Sequence, residues 1–296
     1  MKLVAAIAIV LTASPVFAQT PAADPHAGHA MEAQQPAAAA QPRNANLPPD
    51  NAAAPEQLKS SPRHVDWVDV KGSNGTPIKA FVVYPERKDK APVVIVVHEI
   101  FGLSDWIRGV ADQLAKEGFI AVAPDFLSGM GPNKGGSQEL GEQGSTRAIG
   151  GVSDDDKVRI LNDVRTWALT LPSANGKVGA VGFCWGGGTT FLWARKQPAL
   201  NAAVSYYGPM PSDPAEFANT KAPVLGLYGG ADARVNASVP ATEAKMKELG
   251  KTYEPHIFEG AAHGFLRAQS GNDGANMKAT QQAWPLTIAW LKKYAA

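Results

Sequence analysis

This 296-residue chain has one cysteine, almost no net charge and no apolar run long enough to cross a bilayer comfortably. Each shortage excludes something. One thiol cannot close an internal disulfide. With 28 Lys and Arg against 27 Asp and Glu, the net charge is +1. No electrostatic footprint therefore calls for nucleic acid or an anionic membrane surface. No internal repeat is visible, so a solenoid or propeller is not expected.

The chain starts with segments unlike the rest. Lys2 precedes an apolar stretch, 3–13, then Pro15 and the cleavage-site pattern Val16-Phe17-Ala18. Residues 1–18 read as a secretory signal peptide cut after Ala18. The apolar stretch is too short for a membrane span. Residues 19–61 are rich in Ala, Pro, Gln and Asn and poor in large apolar side chains. Such a segment buries too little surface to offset its ordering entropy, and a disordered leader is expected. His26, His29 and Met31 within it are soft-metal ligand types. In a disordered leader they are read as composition, and no metal site is assigned. The expected location is periplasmic or secreted, with no membrane attachment once the signal is removed. Residues 62–296, roughly 235 of them, suit one α/β domain.

That domain alternates two periodicities. Residues 65–70 and 78–84 read as an antiparallel pair around a turn-rich 72–77. Residues 92–97 form a continuous apolar run, the mark of a strand buried on both faces. Further strands are expected at 119–123, 177–182, 202–206, 224–228 and 253–258. Helices are expected at 105–117, 153–171, 186–196, 239–249 and 279–293. Alternation of this kind gives a mostly parallel sheet with helices on both faces. Residues 124–151 break the pattern and carry glycines at 129, 131, 135, 136, 141 and 144. A long loop leaving the carboxyl end of a strand reads as a lid or pocket wall.

The lone cysteine sits in Gly182-Phe183-Cys184-Trp185-Gly186, between a strand and a helix. This Gly-x-Cys-x-Gly turn lifts its central side chain from the sheet as a nucleophile, with cysteine where serine is usual. The helix that starts behind the sulphur favours thiolate over thiol. An acid, Asp232, follows a strand in Gly229-Gly230-Ala231-Asp232, and His263 follows the last strand in Ala262-His263-Gly264. The order nucleophile, acid, base is that of α/β-hydrolases. Histidine would be the base and aspartate would fix its tautomer. The strand at 92–97 ends in His98-Glu99-Ile100-Phe101-Gly102, where this fold places an oxyanion-hole amide to converge with that of Trp185. Glu99 reads either as a solvent-facing loop carboxylate or as a charge that controls the thiol. Beside a cysteine nucleophile the second reading is the sharper. His98 is a rival base, but chain order favours His263, and His98 is taken as a structural or pocket histidine.

Together these segments, with Ala123-Pro124-Asp125-Phe126 and Ala262-His263-Gly264-Phe265, resemble the dienelactone hydrolase family across about 63–294. The resemblance implies an α/β-hydrolase fold with Cys184 as nucleophile, His263 as base and Asp232 as its partner. It implies that Glu99 holds the resting thiol neutral and takes its proton when substrate binds, and that Ile100 and Trp185 supply oxyanion amides. The family's arginine four residues after the histidine, a substrate-carboxylate ligand, matches Arg267. A second carboxylate-binding arginine has one counterpart in the glycine-rich loop, Arg147, whose register is not fixed. The expected function is hydrolysis of a lactone or small carboxylic ester through a Cys-His-Asp triad and a thioester acyl-enzyme. No cofactor is implied, and the partner is a small-molecule substrate. Two other readings are an exported carboxylesterase with no preference for anionic substrates and a non-catalytic binding or metal-handling protein.

Overall fold

The computed structural model describes residues 44–211 and 214–296. The predicted signal peptide and the leader residues His26, His29 and Met31 lie outside the described residues.

Eight strands form one sheet: β1 (Val65–Val70), β2 (Ile78–Val83), β3 (Ala91–Val97), β4 (Ile120–Pro124), β5 (Ala174–Phe183), β6 (Ala202–Tyr206), β7 (Val224–Gly229) and β8 (Tyr253–Phe258). Their order is β1-β2-β4-β3-β5-β6-β7-β8. Strands β1, β2 and β4 pair antiparallel, and the remaining pairs are parallel. The helices are α1 (Ala54–Ser60), α2 (Asp105–Lys116), α3 (Ser137–Ala148), α4 (Asp154–Ala168), α5 (Trp185–Lys196), α6 (Ala233–Asn236), α7 (Val239–Glu248) and α8 (Ala275–Ala295). They pack around the sheet, giving the expected α/β-hydrolase architecture.

The apolar run in β3 is buried at every position, as a central parallel strand requires. Edge strand β1 alternates exposed and half-buried positions. Serine starts two of the long helices. Ser153 Oγ accepts from Asp156 N–H (3.1 Å) at α4, and Ser104 caps α2 in the same way. Three aspartates in the first turn of α4 complement its dipole.

Two expectations fail here. The leader was expected to stay disordered to residue 61, yet residues 44–61 pack on the domain. Leu47 and Ala54 are buried in the main core. The Trp106 indole N–H donates to Pro49 O (3.1 Å), and a β-carbon on Gly109 would come within 2.6 Å of Pro49. A buried polar knot completes the join. Asp112 accepts two hydrogen bonds from Arg63 (2.8 and 2.6 Å), one from Gln57 (3.0 Å) and one from Ser61 (2.5 Å). Burial works to raise the Asp112 carboxyl, but these hydrogen bonds outweigh it and hold the group low. Composition missed this because a few anchoring residues suffice when a receptive helix already exists. The second failure is the loop 124–151, half of which is helix. Asp125 anchors it by accepting from Ser137 N–H (2.7 Å), Ser137 Oγ (2.6 Å) and Leu127 N–H (3.0 Å).

Candidate active site

Strand register brings the predicted residues to one edge of the sheet. Val97 of β3 pairs with Gly182 of β5, and Phe183 pairs with Tyr206 of β6. Tyr206 pairs with Leu227 of β7, and Gly229 pairs with Phe258 of β8. The residues just past these points are His98 and Glu99, Cys184, Tyr207, Asp232 and His263. Parallel strands therefore deliver all of them to the carboxyl edge.

Cys184 stands at φ 54°, ψ −119°, between β5 and α5. A non-glycine residue held there stores backbone strain of about 1–3 kcal/mol. The neighbouring glycines make the turn possible. A β-carbon on Gly182 would fall 2.1 Å from Gly186 O, and one on Gly186 would fall 2.3 Å from Val97 O and 2.4 Å from His98 O. Gly186 thus lets the start of α5 touch the β3 loop. That contact puts the backbone of Trp185 beside the loop that carries Ile100.

The sulphur is not a thiolate at rest. Burial and the Glu99 charge push the Cys184 thiol up to about 12, and the Trp185 backbone N–H offsets only part of this. The helix start does favour thiolate, as expected, but burial and the Glu99 charge outweigh it. Glu99 is itself buried. Burial pushes its carboxyl up to about 7, despite the opposing Arg267 charge. Glu99 Oε1 lies 2.8 Å from Arg267 Nε, without the alignment of a hydrogen bond.

His263 Nδ1 lies 2.5 Å from Asp232 Oδ2. Nδ1 therefore carries the proton toward the carboxylate, and Nε2 is the basic nitrogen. Burial works against the charge on Asp232, but the His263 contact outweighs it and keeps the carboxyl low. His98 is fully buried and already used. The Phe126 N–H donates to its Nε2 (3.1 Å), its Nδ1 lies 2.8 Å from Glu99 O, and its ring stacks on Trp185. It ties the β3 loop to the start of the 124–151 segment, as a structural histidine does.

Two residues were missed in the sequence. Tyr207 has φ 38° and a fully buried side chain. Its ring centroid is 4.9 Å from that of His263, and burial plus the charges of Glu99 and Cys184 raise its hydroxyl. It bridges the two halves of the site. The signal for it was only a Tyr-Tyr-Gly after a strand. The other is Glu142 of α3, whose Oε1 lies 3.3 Å from Arg267 Nη2. Arg147, on the last turn of α3, is exposed. Among the described contacts none joins it to Cys184, Glu99 or Arg267. A cavity of about 300 Å³ beside Phe126, lined also by Met130, Ile160 and Arg159, includes none of Cys184, Asp232 and His263.

Comparison with known proteins gives a consistent picture. The sequence profile of the dienelactone hydrolase family matches residues 78–295. A Salmonella typhimurium protein provisionally named a carboxymethylenebutenolidase is 32% identical over 234 residues, covering 75% of this chain and 85% of its own length. A Bradyrhizobium protein provisionally named a 2-oxo-3-(5-oxofuran-2-ylidene)propanoate lactonase is 30% identical over 243 residues, covering 77% and 94%. A crystal structure from Klebsiella pneumoniae, provisionally titled a dienelactone hydrolase, superposes with a TM-score of 0.70 at 27% identity, covering 78% of this chain and 99% of that one.

Proposed function

Because the chain belongs to the dienelactone hydrolase family, and so is a hydrolase of lactones or esters, we propose that it acts through Cys184, His263 and Asp232 with a thioester on the sulphur. In this reading Glu99 is the base for the first step. It leaves Arg267, takes the thiol proton, and the thiolate attacks the substrate carbonyl. The Ile100 and Trp185 amides stabilise the oxyanion. The carbon–oxygen bond then breaks, and the departing oxygen receives the proton held by Glu99. His263 next takes a proton from water, which attacks the thioester. The acid departs, and the sulphur regains its proton from the imidazolium. A base whose carboxyl titrates near 7 is well poised for this work at neutral pH.

The observation that best supports the reading is the strained backbone at Cys184, on the same sheet edge as the His263–Asp232 pair. Backbone strain of this kind clusters at active sites, where the surrounding structure holds it in place. The test is Cys184→Ala, which should abolish turnover of lactones and aryl esters. His263→Ala should accumulate an acyl adduct on Cys184, visible by intact mass. Substantial activity in the alanine variant would sink the assignment.

Two relatives are named for lactones that bear a carboxylate. That points to acidic lactones as one substrate class, with Arg267 as the ligand for their charge. The second reading, a carboxylesterase with no preference for anionic substrates, is favoured by the contacts Arg267 already makes. Export through the 1–18 signal is part of the proposal. The mature protein should begin at Gln19 in the periplasm or medium, and N-terminal mass spectrometry decides it. An intact Met1 on a cytoplasmic species overturns export.

A further inference from the structure

Arg267 is held by three groups at once. Its Nε faces Glu99 at 2.8 Å and its Nη2 faces Glu142 at 3.3 Å. Its guanidinium lies 4.5 Å from the centre of the Phe101 ring. The two carboxylates differ in their freedom. The Glu99 side chain is 5% exposed and that of Glu142 is 58% exposed. Glu142 can swing into water, whereas Glu99 has no such exit.

The fold builds the approach of Glu142. Asp125 pins Ser137 at the start of α3, and Ser137 Oγ accepts from Leu103 N–H (3.0 Å) just past the Glu99 loop. A β-carbon on Gly102 would meet Ser137 Oγ at 2.3 Å, so the two segments are in close contact. Gly141 then takes φ 64°, ψ 177°, inside α3. That break, one residue before Glu142, lies in the left-handed region that glycine reaches at least cost. It redirects the chain so that Glu142 faces Arg267.

We propose that Glu142 is a built-in occupant of the carboxylate seat on Arg267 and biases the enzyme toward neutral esters over carboxylate-bearing ones. The inference rests on the site reading given above. A neutral ester does not need the seat. An anionic one must displace Glu142 and then lie beside its charge. Exposed ion pairs are weak, so the effect is a bias of a few-fold to tenfold and not a block. The burial of Glu99 adds to the asymmetry, since only the exposed carboxylate can yield cheaply to a substrate.

The test uses two matched aryl esters, 4-acetoxybenzoate and its neutral amide 4-acetoxybenzamide, and reads the ratio of their kcat/KM. Glu142→Gln and Glu142→Ala should each raise the acid-to-amide ratio about three- to tenfold at low ionic strength. In an Arg267→Gln background the same changes should leave the ratio within about twofold, because coupled residues are non-additive. An unchanged or lower ratio in the Arg267 enzyme overturns the proposal. So does an equal rise in both backgrounds, which would mean general repulsion and not occupancy. Ester cleavage of 4-acetoxybenzamide that does not depend on Cys184 would overturn the site reading itself, and the Cys184→Ala control separates that outcome.

Discussion

Cys184 keeps its proton because two effects agree: burial, and the negative charge of Glu99 nearby. In the proposed mechanism activation depends on Glu99, and kcat/KM should rise with pH around an apparent midpoint near 7. Glu99→Gln should lose that rise and lower kcat/KM by two orders of magnitude or more, roughly the usual value of a positioned base. A Glu99→Gln profile that parallels the parent would remove Glu99 from the mechanism. Arg267 opposes the upward shift of Glu99. Arg267→Gln should accordingly move the midpoint to higher pH even on a neutral ester, where no substrate carboxylate is involved. A midpoint that stays put would mean that the Glu99–Arg267 contact is too loose to matter.

At the scale of elements, most of the strands and long helices were legible because their periodicity is strong. β1, β6 and β8 fall on the expected residues, and β3 announces itself as an unbroken apolar run. The elements that were not legible owe their form to tertiary partners. Helix α1 has seven residues, too few to be stable alone. It exists because Asp112 on α2 gathers Arg63, Gln57 and Ser61. Helix α3 contains glycines at 141 and 144, which lower its propensity, and Asp125 supplies the anchor. Asp112→Ala should leave the Arg63 charge without its partner and cost about 3–5 kcal/mol. The check is the midpoint of denaturant unfolding. A shift below about 1 kcal/mol, the level of an exposed ion pair, would show that water replaces the contact. The same segment reaches the site: Asn51 N–H donates to Arg267 O (3.0 Å), and the Gln269 side-chain amide donates to Pro48 O (3.0 Å). Deleting residues 44–61 should therefore weaken catalysis as well as stability, which kinetics on that deletion variant beside the parent would reveal.

For the whole molecule, the proposed triad could be read in the sequence because each member follows a strand, and a parallel sheet collects strand ends. Tyr207 and Glu142 could not, since their meaning comes from which ring or guanidinium they face. The buried Glu99 also reaches beyond the site. Its folded carboxyl lies near 7, against an ordinary value of 4.5. A raised carboxyl lets the native state hold a proton that the unfolded chain has lost. Its contribution is fully present below the unfolded value and is lost as pH rises through the folded one. The Glu99 contribution to stability should therefore fall between about pH 4.5 and 7, by up to about 3 kcal/mol at 1.36 kcal/mol per unit. Glu99→Gln should flatten that fall. The same proton has a thermal signature. Near pH 6 unfolding should release almost one proton from this residue to the buffer, as a site near 7 relaxing to 4.5 requires. The measured heat of unfolding then includes the buffer's own heat of protonation. The dependence of that heat on buffer, phosphate against imidazole at matched midpoints, should differ between the parent and the Glu99→Gln protein by nearly one proton's worth, whatever the buried His98 adds to both.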